Sequence, residues 1–164
     1  MYRKIEEILY SHYEKKNKIN RLKNRLSRID NRIKVLKQDI KECNIEMQDT
    51  MKSMDYSKNS RNSNKVSIIE IELERAFNVL EKRIKTAYHN KYKLINRIRD
   101  LEKRIENIDI VLNELDEEEL QLVEYKYNDK YGWIKISKIQ HCSTATIYRK
   151  KDKIIEYLSN ELIK

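Results

Sequence analysis

Residues 19–47 read INRLKNRLSRIDNRIKVLKQDIKECNIEM. Ile19, Leu22, Leu26, Ile29, Ile33, Leu36, Ile40, Cys43 and Met47 fall at alternating steps of three and four. At about 3.6 residues per turn that spacing gathers all nine on one narrow helical stripe, the a and d positions of a heptad seam. Toward the N-terminus the stripe weakens through His12 and Lys15 before Ile8 and Ile5 resume its phase. A second seam runs through Leu73, Phe77, Leu80, Ile84, Ala87, Lys91, Leu94, Ile98, Leu101, Ile105, Ile108, Leu112 and Leu115, with Lys91 as its one charged break. Neither stretch carries a second continuous apolar stripe, so each helix wants about one partner.

Between the seams lies DYSKNSRNSNK, residues 55–65, which has no apolar period and reads as a loop over about 55–66. Ser67 followed by Glu70 is a capping-box start for the second helix. Folding the chain near residue 60 pairs residues whose numbers sum to 120. Ile19 then meets Leu101, Leu26 meets Leu94, Ile33 meets Ala87, Cys43 meets Phe77 and Met47 meets Leu73. Each a position faces a d position, as antiparallel packing requires. The paired stretch would be about 60 Å long. The expectation is therefore an antiparallel coiled-coil hairpin over residues 1–114, with a homodimer of two chains as the rival pairing.

Composition narrows the function classes. The 164 residues are 39% hydrophobic, with one Gly and no Pro, which is enough apolar material for helical seams but not for a large core. A single glycine excludes the glycine-rich loops that cradle nucleotide phosphates. The longest apolar runs are far short of the roughly 20 residues of a membrane span, and Met1-Tyr2-Arg3-Lys4-Ile5 opens no signal peptide. Cys43 and Cys142 belong to no CxxC pair, which fits a reducing cytoplasm, and His141 has no second ligand at metal spacing. No nucleophile–base arrangement is legible, so neither catalysis nor a cofactor nor a small-molecule substrate is expected.

The net charge of +9 is uneven. Residues 1–66 carry 17 Lys+Arg against 9 Asp+Glu, whereas residues 115–164 carry nine of each. In the 120 register, two basic stretches, 15–41 and 80–105, lie side by side instead of neutralising one another. A solvated face is the usual meaning of such charge. The functional alternative is contact with nucleic-acid backbone or an acidic protein.

The texture changes at Leu115. Asp116 with Glu119 signals a helix start, and Leu120, Val123 and Tyr127 give that helix one apolar face. Asn128 to Gly132 reads as a turn, with Gly132 at the position needing a positive φ. Trp133 to Gln140 is a short helix with Trp133 in the core, and His141-Cys142-Ser143 is a tight turn. Ser143 then caps a last helix, from Thr144 to about Leu162, whose inner face is Ile147, Ile154, Ile155, Leu158 and Leu162. A short helix, a three-residue turn and a longer helix make a helix-turn-helix over residues 115–164. From Lys130 to Lys153 there are seven basic residues against Asp152, so the cations concentrate on this unit.

Leu115-Asp116-Glu117-Glu118-Glu119, Tyr127, Trp133, Ile136 and Cys142-Ser143-x-x-Thr146-Ile147-Tyr148-Arg149 together resemble the C-terminal domain of phage late-gene transcriptional regulators of the ArpU and RinA type, themselves similar to region four of sigma factors. The resemblance covers about 50 of the 164 residues. The chain departs from that pattern at Ser137 (Ala preferred), Gln140 (Leu) and His141 (Gly), and Ile139 is expected to supply the apolar contact that Gln140 withholds. The resemblance implies a sequence-specific transcription regulator in the bacterial host cytoplasm, with double-stranded DNA and RNA polymerase as partners.

In a helix-turn-helix the N-terminal side chains of the second helix enter the major groove. Thr144, Ala145, Tyr148, Arg149 and Asp152 lie away from Ile147, and Arg149 is the best base reader. Ser143, Thr146, Lys150 and Lys153, with Lys135 and Lys138 on the preceding helix, are the expected backbone contacts. The whole reading is an all-α DNA-binding protein. The alternative is a small-terminase-like packaging or assembly protein, which also joins a helix-turn-helix to helical hairpins but usually puts the DNA-binding part first.

Overall fold

The computed structural model describes residues 2–42 and 68–162, all of them helices and short connections. Two long helices, α1 (Tyr2–Lys41) and α2 (Ile68–Leu112), precede three shorter ones. These are α3 (Glu117–Val123), which widens into a π-helical turn at Glu124–Asn128, then α4 (Trp133–Ile139) and α5 (Thr144–Leu162). The expected pairs Cys43–Phe77 and Met47–Leu73, the loop at 55–66 and the Ser67 cap lie outside the described residues.

Contacts divide the chain into two compact units, Met1–Asn24 with Asn96–Lys164, and Arg25–Ile95. In each unit α1 and α2 touch along the expected stripes. Ile33 and Leu36 on α1, and Leu80, Ala87 and Leu94 on α2, are buried in the second unit. There the Lys91 ammonium leaves the seam to meet Asp30 at 2.7 Å, and Lys37 lies over the Tyr88 ring, 5.4 Å from its centroid. In the first unit Lys23 meets Glu102 at 2.8 Å, and His12 and Lys16 both reach Asp109, at 3.2 and 3.5 Å. The partners' numbers add to 121 or 125 throughout. That is where residues flanking a seam of sum 120 meet, since helical side chains lean toward their own N-termini. Lys91 thus keeps its place in the stripe by sending its charge outward. The Asp30 hydrogen bond holds its ammonium pKa above the usual lysine value.

The main core belongs to the first unit. Ile5, Leu9 and Tyr13 from the first turns of α1 pack with Leu112 at the end of α2 and with Leu122, Val123, Tyr127, Ile136, Ile147, Ile154, Ile155 and Leu158. Polar contacts fasten the same join. Tyr10 meets the Tyr127 ring edge-on with centroids 5.0 Å apart, Tyr127 donates to Glu6 Oε1 at 3.4 Å, and Asn17 donates to Asn128 at 2.9 Å. Tyr157 donates to Glu114 Oε2 at 2.5 Å; this bond and burial push its phenol up to about 12. The core of the last three helices therefore extends across residue 114 into both long helices.

His12, expected to weaken the stripe, is fully buried within it. Its Nε2 lies 3.2 Å from Asp109 Oδ1, yet neither ring nitrogen has an aligned hydrogen bond. Burial lowers its pKa below 6.5, as do Lys16 and Lys15, with Asp109 opposing. A group of lowered pKa contributes stability that is complete above the unfolded value of about 6.5 and is lost as pH falls below it. The melting temperature should therefore fall more steeply from about pH 7 to about pH 5 in the wild type than in His12→Gln. Parallel curves would contradict the assignment. Leu9, with no exposure, should cost about 2–5 kcal/mol as Leu9→Ala in denaturant titrations. Val35→Ala, on a residue 57% exposed, should cost under about 0.5 kcal/mol.

Candidate nucleic-acid interface

The candidate interface is built on α3, α4 and α5. Asp116 precedes α3 in extended conformation, and its backbone N–H donates to Glu119 Oε2 at 3.4 Å, the return half of a capping box. Leu122 and Val123 are both buried because α3 packs against more than one neighbour; the periodic reading had found Val123 alone. The π-helical turn that follows is closed by Asp129 N–H donating to Glu124 O at 3.0 Å.

The turn before α4 differs from expectation. Gly132 is extended (φ −73°, ψ 151°) and serves as the N-cap residue of α4; an added Cβ would meet nothing within 4 Å. The positive φ falls instead on Lys130, at 57°. Chain reversal is complete by Lys130, since Tyr131 N–H already returns to Tyr125 O at 2.9 Å, and Gly132 has only to launch the next helix.

α4 buries Ile136 and Ser137. Ser137 occupies the place where the pattern prefers Ala by turning its hydroxyl back onto Ile134 O at 2.9 Å. Ile139 does not supply the apolar contact expected of it: it is 38% exposed. Gln140 turns inward instead and donates to Glu118 O at 3.1 Å. The helix ends with His141 in the left-handed region, φ 50°, and Cys142 N–H donating to Ser137 O at 3.0 Å. This is a Schellman ending, in which the left-handed residue is usually glycine. His141 stands at the position where the pattern prefers Gly.

Ser143 caps α5. Its Oγ accepts from the Thr146 N–H at 3.1 Å and lies 2.9 Å from the Thr146 hydroxyl. Ile147, Ile154, Ile155 and Leu158 face inward. Thr144, Ala145, Tyr148, Arg149 and Asp152 are exposed on the opposite side. Trp133 is half-buried against the core, with Lys126 4.4 Å above its ring and Tyr148 beside it at 5.3 Å.

The expected contact residues are in unequal states. Among the described residues Arg149, Lys138 and Lys153 are exposed and have no ion-pair partner. Lys135 sits over the Tyr131 ring at 3.3 Å. Lys150 is half-buried and held by Glu118 at 2.7 Å, a bond that raises the lysine pKa and lowers the carboxylate's. Ser143 and Thr146 are occupied with each other. Sequence reasoning missed Lys126, which is half-buried over the Trp133 ring; an isolated Lys seven residues before a Trp carries no periodic signal. No family model, curated protein or solved structure matches the chain.

Two backbone predictions follow from these turns. His141→Gly should raise stability by about 1 kcal/mol, because only the left-handed strain is removed. Ser143→Ala should cost about 0.5–2 kcal/mol by orphaning the Thr146 N–H. Chemical denaturation of the two variants measures both, and a destabilised His141→Gly would show that the His141 side chain holds the turn.

Proposed function

We propose that this chain is a sequence-specific double-stranded-DNA-binding transcription regulator, its α1 and α2 forming an antiparallel coiled-coil hairpin and its α3–α5 a helix-turn-helix resembling sigma region four. One observation carries the reading. The α4–α5 pair, joined through a left-handed His141, buries Ile136 and Ile147 and turns Thr144, Tyr148 and Arg149 outward on one face. A helix entering the major groove needs such a face at its N-terminal end. Arg149, exposed and without a carboxylate partner among the described residues, supplies the fork that pairs with guanine O6 and N7. Lys138 and Lys153 flank it as phosphate contacts, and the positive end of the α5 dipole is favourable for a phosphate. Lys150 is the weaker candidate, since a phosphate would first have to displace Glu118. By the resemblance, the regulated genes are late genes of a phage or prophage and RNA polymerase is the machinery the protein accompanies.

Sequencing of DNA bound by the full-length protein tests this directly. Sites should cluster at promoter-proximal positions; clustering at a single packaging start, or no clustering, would refute it. On the enriched site Arg149→Ala should lower preference over unrelated DNA by about 1–3 kcal/mol, while Lys153→Ala should weaken all sequences about equally. An Arg149→Ala protein of unchanged sequence preference would remove Arg149 from the reading role.

A further inference from the structure

A second surface, in the unit Arg25–Ile95, has a composition that the DNA reading does not use. On α2, Val79, Lys82, Thr86 and Asn90 follow one another at steps of three and four, and Arg83, four residues after Val79 and three before Thr86, lies beside them, so the five form one stripe along the helix. They wall a cleft of about 240 Å³, and Arg32 on α1 stands on its other side. Its floor is Ala87, a seam position held by a small side chain and only 8% exposed. Val79 is 50% exposed within the same cleft.

Two other cations of this unit are neutralised. Lys85 is paired with Glu81 at 2.8 Å and Lys91 with Asp30 at 2.7 Å. Arg32, Lys82 and Arg83 line one cleft with no ion-pair partner among the described residues. Three like charges around an apolar floor repel one another and leave Val79 in water, and an occupant bearing carboxylates and an apolar side chain relieves both.

We infer that this cleft docks an acidic amphipathic helix of a partner protein. Val79 to Asn90 spans about 16 Å, or three turns of helix, so the partner segment needs about three turns. Its carboxylates at i and i+4 or i+7 meet Arg32, Lys82 and Arg83, where guanidinium forks donate to a carboxylate in bidentate fashion. A Leu, Ile or Phe between them covers Val79 and Ala87. The apolar floor decides against a duplex: phosphates satisfy the cations but offer nothing to Val79. The inference stands independently of the α4–α5 reading, since it concerns different residues and a different partner.

The test is selection from a randomised library of displayed 15-residue peptides on the full-length protein. Enriched peptides should combine two or more Asp or Glu with an apolar residue at steps of three or four. A synthesised winner should bind about tenfold more weakly to Arg32→Glu/Arg83→Glu and several-fold more weakly to Val79→Ser. Arg32, Val79 and Arg83 are all exposed, and circular dichroism should be unchanged. The inference is overturned if nothing is enriched, or if the winners bind the variants as well as wild type. It also falls if Val79→Ser has no effect, which would leave a bare polyanion surface. Finally, it falls if the charge variant loses affinity for a non-specific 20-base-pair duplex and keeps its affinity for the peptide.

Discussion

The burial of Ile5, Leu9 and Tyr13 from α1 beside Leu112, Tyr127, Ile147 and Leu158 is the contact on which the candidate interface depends. α3, α4 and α5 are 7, 7 and 19 residues long, and two of them are shorter than helices that hold themselves in water. About 50 residues bury too little surface to be stable with ease. The first turns of α1 and the last of α2 supply what is missing. They cover Leu122, Val123 and Tyr127 on one side and leave the Thr144–Tyr148–Arg149 face of α5 bare on the other. A sequence-reading helix has to be rigid, because a base contact is worth about 1–3 kcal/mol only when the side chain starts from a fixed position.

The seams were legible because heptad spacing is a direct image of a helical stripe. Buried Ile33, Leu36, Leu80, Ala87 and Leu94 lie where steps of three and four put them, and the contacts of Lys23, Asp30 and Lys37 agree with the 120 pairing. Periodicity states that a residue wants a partner and is silent on which one. Ile5 was thus read, with Ile8, as the tail of the seam, Leu9 was not singled out, and the packing of Ile5 and Leu9 with residues of α3 and α5 was invisible. His12 was hidden for the same reason: nothing in its neighbours signals that Asp109, ninety-seven positions away, stands beside it.

Turn chemistry was legible at Asp116 and Ser143, whose caps are local hydrogen bonds, and misread where the only clue was residue type. Gly132 was assigned the left-handed position because glycine tolerates it, yet Lys130 and His141 carry it. At His141 the Schellman bond from Cys142 N–H overrides side-chain preference. Gln140 finds the Glu118 carbonyl, while Ile139 stays 38% exposed. On the candidate interface, exposure of Arg149 followed from its distance in phase from Ile147. The capture of Lys150 by Glu118 required α3 and α5 to be side by side, which no local pattern records.

The central claim is that α3, α4 and α5 are held by the N-terminal turns of α1. It is tested most directly by comparing residues 116–164 alone with the full chain by amide hydrogen exchange. The account predicts that the isolated segment loses protection at Ile147, Ile154, Ile155 and Leu158, all at most 2% exposed in the intact protein, and melts without cooperativity. Full-chain protection of those four amides in the isolated segment would show that the three helices fold by themselves and that Ile5, Leu9 and Tyr13 merely rest on them.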